Sequence, residues 1–174
     1  LTRFLFPLLK SSAPSRIVTL SSSAHLNAHI NFDDLMLVKD YSLMLAYGQS
    51  KLANLLFARE LHRRIETAGL DMLSLAAHPG FIRTNMLYRG GARLRILRSI
   101  MGFFASAVTD PPEVGVRPQL YAATAAEVEG GAYYVPNKSG RPQVGYSTPE
   151  SQDAEIAARL WQRTEELLNL EFEI

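Results

Sequence analysis

Apolar residues recur at helical spacing in some stretches of the chain and form short unbroken runs in others. Phe4, Leu5, Leu8 and Leu9 give residues 1–12 a helical rhythm, with Pro7 near its start or at a kink. Residues 11–15 (SSAPS) read as a turn, and RIVTLSSS at 16–23 is a β-branched run of the kind that a buried parallel strand carries. Residues 24–40 are polar and mixed, which predicts a loop. From 41 to 66 the chain carries its longest helical pattern: Leu45, Leu52, Leu55, Leu56, Leu61 and Ile65 recur on one side, and Gly69 stops the run near a C-cap position. DMLSLAA at 71–77 predicts a second strand, ended by His78-Pro79-Gly80. Thr109-Asp110-Pro111-Pro112-Glu113 is a helix-start signature, followed by an amphipathic segment to about Thr124. GGAYYVP at 130–136 predicts a third strand. A last helix is expected from about Ser151 to Leu168, with Ile156, Leu160, Trp161 and Leu167 on its apolar stripe.

The predicted order α-β-α-β-α-β-α argues for an α/β fold, a mostly parallel sheet with helices on both faces. In such sheets reactive groups gather at the carboxyl ends of the strands. The first two strand ends here are Ser21-Ser22-Ser23 and His78-Pro79-Gly80. No repeat, linker or low-complexity tract divides residues 1–174, so a single domain is expected.

Composition narrows the function. Of 174 residues 47% are hydrophobic and 20% charged, and 18 Lys+Arg nearly cancel 17 Asp+Glu. That balance suits a globular domain and disfavours both disorder and a basic nucleic-acid binder. No apolar stretch approaches the ~18 residues of a membrane span. Cysteine is absent, which excludes disulfides and thiolate chemistry and fits a reducing, cytoplasmic setting. His25 and His29 are four apart in the expected loop, a poor metal spacing, so no metal is expected.

Tyr47 and Lys51 are four apart in the long helix, hence one turn apart on one face. An ammonium beside a phenol favours the ionised phenol, and a phenol so tuned can give a proton to a carbonyl oxygen or take one from an alcohol. The pair alone is weak evidence. Its context, a long amphipathic helix after a strand ending in serines, strengthens it. Ser22 at the strand end can donate a hydrogen bond to an oxygen on which charge develops. Ser21 and Ser23 are alternatives, because adjacent strand residues point to opposite faces.

RIVTLSSSAH, YGQSKLAN and HPGFIRT, in that order, resemble the short-chain dehydrogenase/reductase family. SKLAN after the tyrosine, and the 25-residue gap from Ser22 to Tyr47, look most like its retinol-dehydrogenase-like branch. The resemblance covers nearly the whole chain and implies an oxidoreductase interconverting an alcohol and a carbonyl with NAD or NADP. It implies that Ser22 binds the substrate oxygen, that Tyr47 is the proton donor or acceptor, and that Lys51 binds the nicotinamide ribose and eases deprotonation of the tyrosine. Pro79, Gly80, Ile82 and Thr84 would face the nicotinamide. Family members often pair through the long helix and its neighbour, which makes a homo-oligomer the expected assembly.

The family's glycine-rich turn, which brings pyrophosphate to a helix N-terminus, has no counterpart here: no glycine precedes Gly48. The chain also opens on Leu1, in the middle of an apolar pattern. The expectation is therefore a partial Rossmann fold without its N-terminal strands, the catalytic half of such an enzyme, which alone binds dinucleotide poorly and turns over little. An inactive remnant or an interaction fragment is the competing reading. Arg89, Arg93, Arg95 and Arg98 alternate with apolar residues through 94–108. They read as a lid over the substrate or as an interfacial membrane helix at 93–104. Either implies a lipophilic substrate or surface.

Overall fold

A computed structural model describes residues 1–80, 82 and 111–174. A sheet of order β1-β2-β3-β4 forms its centre. Strands β1 (Ser15–Leu20), β2 (Met72–Ala77) and β3 (Tyr133–Pro136) are mutually parallel, and β4 (Pro142–Val144) closes the sheet antiparallel to β3. Around them lie α1 (Thr2–Ser11), a 3-10 turn (Ser23–Asn27), α2 (Leu43–Thr67), α3 (Pro112–Gly115), α4 (Arg117–Thr124), α5 (Pro149–Gln152) and α6 (Ala154–Leu168).

Strand periodicity divides the core into two layers. On one face Ala76 packs with Leu55 and Ala58 of α2 and with Tyr133. On the other, Leu75 packs with Ala122 of α4 and with Tyr134, and Val18 and Leu73 join them. Parallel strands covered on both faces are apolar nearly throughout, and β2 is buried along all its length except at Leu73. The register pairs Leu20 with Ala77, so β1 and β2 end level. That alignment puts the serines after β1 beside His78-Pro79-Gly80.

Helix α2 is the spine. The Ser42 hydroxyl accepts the Leu45 N–H at 3.2 Å and caps its start. Ala68 is the C-cap, and Gly69 follows with φ +64°, the left-handed turn that glycine adopts without strain. Leu52, Leu55, Leu56, Leu61 and Ile65 are fully buried, each worth about 1.5–3 kcal/mol by transfer from water. Arg59 ties this spine to the carboxyl half, donating to the carbonyls of Gly131 and Ser151 and to the hydroxyls of Ser147 and Ser151. Helix α6 starts on Asp153, whose carboxylate accepts from the Glu155 and Ile156 N–H groups. It buries Ala157, Leu160 and Trp161.

The amphipathic helix expected after the 109–113 start signature, to about Thr124, is two pieces that meet at Val116, because Pro118 lacks the N–H that a continuous helix would use there. The expected helix from Ser151 is preceded by the separate turn α5, broken at Asp153 where the side chain caps α6 instead. Strand β4 went unread: Pro142-Gln143-Val144 is too short for a period and gains its pairing from the turn at Asn137–Arg141. The expected loop after β1 contains the 3-10 turn. Residues 83–108, read as lid or membrane helix, lie outside the described residues.

Candidate active site

The site is built where β1, β2 and α2 meet. Strand pairing ends at Ser21, whose N–H donates to the Ala77 carbonyl at 2.8 Å. The Ser21 hydroxyl donates to the Lys51 carbonyl at 2.7 Å, so it braces α2. Ser22 is buried and extended (φ −156°, ψ 155°) and is the N-cap of the 3-10 turn: its Oγ accepts the Ala24 N–H at 3.3 Å. With a lone pair so occupied, its own O–H remains available as a donor. Ser23 starts the turn and borders the cleft described below.

Tyr47 and Lys51 stand one turn apart on α2, the Lys51 Nζ lying 5.6 Å from the centre of the Tyr47 ring. Nζ also approaches the Leu20 carbonyl at 3.5 Å. Asn54 one turn further donates to the same carbonyl at 2.9 Å. Asn54 went unread in the sequence, although its spacing of three from Lys51 puts it on the same face.

Gly48 lets α2 come close to the serine turn. A methyl group there would lie 3.1 Å from both the Ala24 carbonyl oxygen and the Ala28 Cβ. Contacts run on from Ser22: the His25 imidazole bonds its carbonyl, the Tyr133 ring meets His25 edge-on at 5.3 Å, and Tyr47 is near enough to Tyr133 to act on it electrostatically. Burial is the chief cause of the upward shift of the Tyr133 phenol; Arg59 opposes it and Tyr47 adds to it.

Pro79 and Gly80 follow directly on β2. Gly80 has φ +83°, and a side chain there would meet Pro136 at 2.9 Å, so both backbone and space require glycine. Ile82 packs against Gly115, where a side chain would overlap it. Thr84 lies outside the described residues. His78 is buried, and desolvation, then the neighbouring His25, push its pKa down to about 4.

A cleft of about 370 Å³ opens at these strand ends, bordered by Ser23, His25, His78, Gly80, Tyr133 and Tyr146. A second, more apolar groove of about 350 Å³ lies between α1, α2 and α6, and Ser22, Tyr47 and Lys51 line neither the groove nor the cleft. Among the described residues no cluster of three metal-ligating side chains occurs, and no helix is long and apolar enough to cross a membrane.

An ammonium and a phenol one turn apart on α2, and a glycine turn without side-chain bulk at the end of β2, are groups that could hold ribose hydroxyls and admit a nicotinamide ring. No family model matches the chain. Human retinol dehydrogenase 13 is 39% identical over 98% of this chain and 51% of its own length, and human retinol dehydrogenase 14 is 37% identical over 98% and 49%. The chain belongs to the short-chain dehydrogenase/reductase family, on its retinol-dehydrogenase-like branch. A solved structure of an uncharacterised protein from Mycobacterium paratuberculosis superposes with a TM-score of 0.76 at 37% identity, over 99% of this chain and 56% of the other. The chain spans about half the length of the curated relatives it matches, and its mostly parallel sheet is the part of the family's Rossmann-like fold that this half contains.

Proposed function

We propose that this dehydrogenase-family chain carries the catalytic groups of an oxidoreductase that interconverts a lipophilic alcohol and its carbonyl compound, with NAD or NADP. The observation that carries the reading is the placement of the Lys51 ammonium 5.6 Å from the Tyr47 ring, on the helix that packs against the Ser22 turn. In the reducing direction the Tyr47 phenol gives its proton to the carbonyl oxygen. The Ser22 hydroxyl donates a hydrogen bond to the same oxygen as charge develops on it. Lys51 would hold ribose hydroxyls of a bound cofactor, and by Coulomb attraction it stabilises the charge left on Tyr47. Pro79, Gly80 and Ile82 would face the nicotinamide of a bound cofactor, and the family resemblance assigns Thr84 to the same role. When bound, the cofactor supplies the hydride, and the protein supplies orientation and the proton.

The similarity to retinol dehydrogenases supports a long apolar alcohol or aldehyde as substrate, and the absence of cysteine supports a cytoplasmic setting. Peripheral membrane contact through 93–104 and a homo-oligomer remain parts of this proposal. The test is reduction of retinaldehyde by NADH or NADPH at high cofactor concentration. Tyr47→Phe is expected to lower the rate by about 100-fold or more; a rate within a few-fold of wild type overturns the acid/base role.

One observation favours a second reading, a non-catalytic fragment that binds a partner. The outer edge of β1 pairs with no strand among the described residues, and Leu20 on it is 47% exposed. Isothermal titration separates the two: micromolar affinity for either dinucleotide supports the enzyme, and its absence leaves the fragment reading standing.

A further inference from the structure

Ser22 lies where the ladder gives out. Ser21 makes the last β1 hydrogen bond to β2, through its N–H to the Ala77 carbonyl. Ser22 must therefore be held by something other than the sheet. Its carbonyl accepts two donors. One is the His25 backbone N–H at 3.1 Å, the ordinary bond of the 3-10 turn. The other is the Nδ1–H of the His25 ring at 2.6 Å. A carbonyl oxygen only accepts, so the proton at this contact sits on Nδ1.

The ring itself has no freedom. His25 is fully buried, and the Tyr133 ring stands perpendicular to it with centres 5.3 Å apart. Tyr133 is fixed in turn by strand pairing to Ala76. Nε2, left with its lone pair, finds no hydrogen-bond partner among the described residues. An interior histidine with one nitrogen spent on the main chain of Ser22, and no cluster of three metal-ligating side chains among the described residues, has a positional role rather than a ligand-binding one.

We infer that His25 is a positioning residue for Ser22: its Nδ1–H clamps the Ser22 carbonyl, and this holds the turn in which the Ser22 Oγ accepts from Ala24 and keeps its own O–H free to donate. Burial lowers the pKa of His25, the bond to Ser22 opposes the shift and Arg59 adds to it, so the ring is neutral at pH 7 and keeps the single tautomer the clamp needs. The inference rests on the proposed role of Ser22, which it deepens.

The first test uses the wild-type chain without cofactor or substrate. Two-bond proton–nitrogen correlation spectra of ¹⁵N-histidine-labelled protein at neutral pH should show His25 protonated at Nδ1 and bare at Nε2. A ring protonated at Nε2 alone, or at both nitrogens, overturns the proposal. The second test replaces the donor. In His25→Leu the amides of residues 24 and 25 should exchange about three- to tenfold faster, the loss of one ordinary hydrogen bond. The amides of Leu61 and Ile65 should be unchanged. His25→Asn, which keeps a side-chain N–H, should recover part of the protection. Unchanged exchange at 24 and 25 in a folded Leu variant overturns the clamp; if that variant does not fold, the tautomer decides.

Turnover gives the third reading. His25→Leu should lower kcat with KM unchanged, and should add nothing in a Ser22→Ala background. If Ser22→Ala itself leaves kcat unaltered, the oxidoreductase reading of Ser22 fails while the spectroscopic tests of the clamp still stand.

Discussion

Acid should weaken this fold through His78, and the size of the effect follows from its surroundings. The ring sits at the end of β2 and is 8% exposed. Burial, with His25 close by, lowers its pKa from 6.5 to about 4. Above the unfolded value both states hold a neutral ring, and the folded state keeps its full stability. As pH falls below 6.5 the unfolded chain takes up a proton that the folded one refuses, so stability drops until the folded pKa is reached. At about pH 5 the gap of about 1.5 units corresponds to roughly 2 kcal/mol, an upper value that residual solvent screening reduces. For a chain of this length that is about 4–8 °C in Tm.

The assay is thermal unfolding of wild type and His78→Gln at about pH 7.5 and about pH 5. Carboxylates contribute equally to both proteins, so the difference between the two pH slopes reports His78 together with its coupling to His25. Wild type should lose more Tm on acidification than the variant does. Equal losses would refute the reasoning, since a ring that titrates alike in both states cannot couple to folding.

Other substitutions probe the frame around the site. Gly80→Ala should destabilise by about 1–2 kcal/mol, because φ is +83° and Pro136 occupies the space; chemical denaturation measures it, and an unchanged midpoint would contradict the turn. Leu61→Ala should cost about 2–5 kcal/mol, as Leu61 is fully buried among Phe6, Ile65, Met72 and Trp161. Asp153→Ala should cost about 1 kcal/mol through the lost cap of α6, read in the same assay.

The three parallel strands and the long helix were legible because each carries its own period or apolar run. Gly69 was read as the stop of α2, and it follows directly on the C-cap. Strand β4 was not legible, since three residues hold no period and its pairing is imposed by β3. The break at Val116 was missed because the proline at 118 was read within one amphipathic run. For the candidate site, spacing and resemblance pointed to Tyr47, Lys51, Ser22 and the Pro-Gly turn, and the fold puts Tyr47 and Lys51 one turn apart on α2 and Ser22 and the Pro-Gly turn at neighbouring strand ends. His25 could not, because a histidine in a polar segment gives no sign that its Nδ1 will meet a carbonyl three residues back. The bracing role of Ser21 likewise depends on which side of β1 faces α2, and a run of three serines leaves that undecided.

The central claim is that Tyr47 and Ser22 act on one oxygen, with Lys51 stabilising the charge left on Tyr47. Its most direct test is transfer of deuterium from a reduced nicotinamide cofactor, labelled at the reactive carbon, to a lipophilic aldehyde, with the alcohol product analysed by mass spectrometry. Label in the product detects even a few turnovers. Wild type should yield deuterated alcohol above the protein-free blank, and Tyr47→Phe should yield about 100-fold less or none. No label from wild type, or equal label from Tyr47→Phe, would contradict the account.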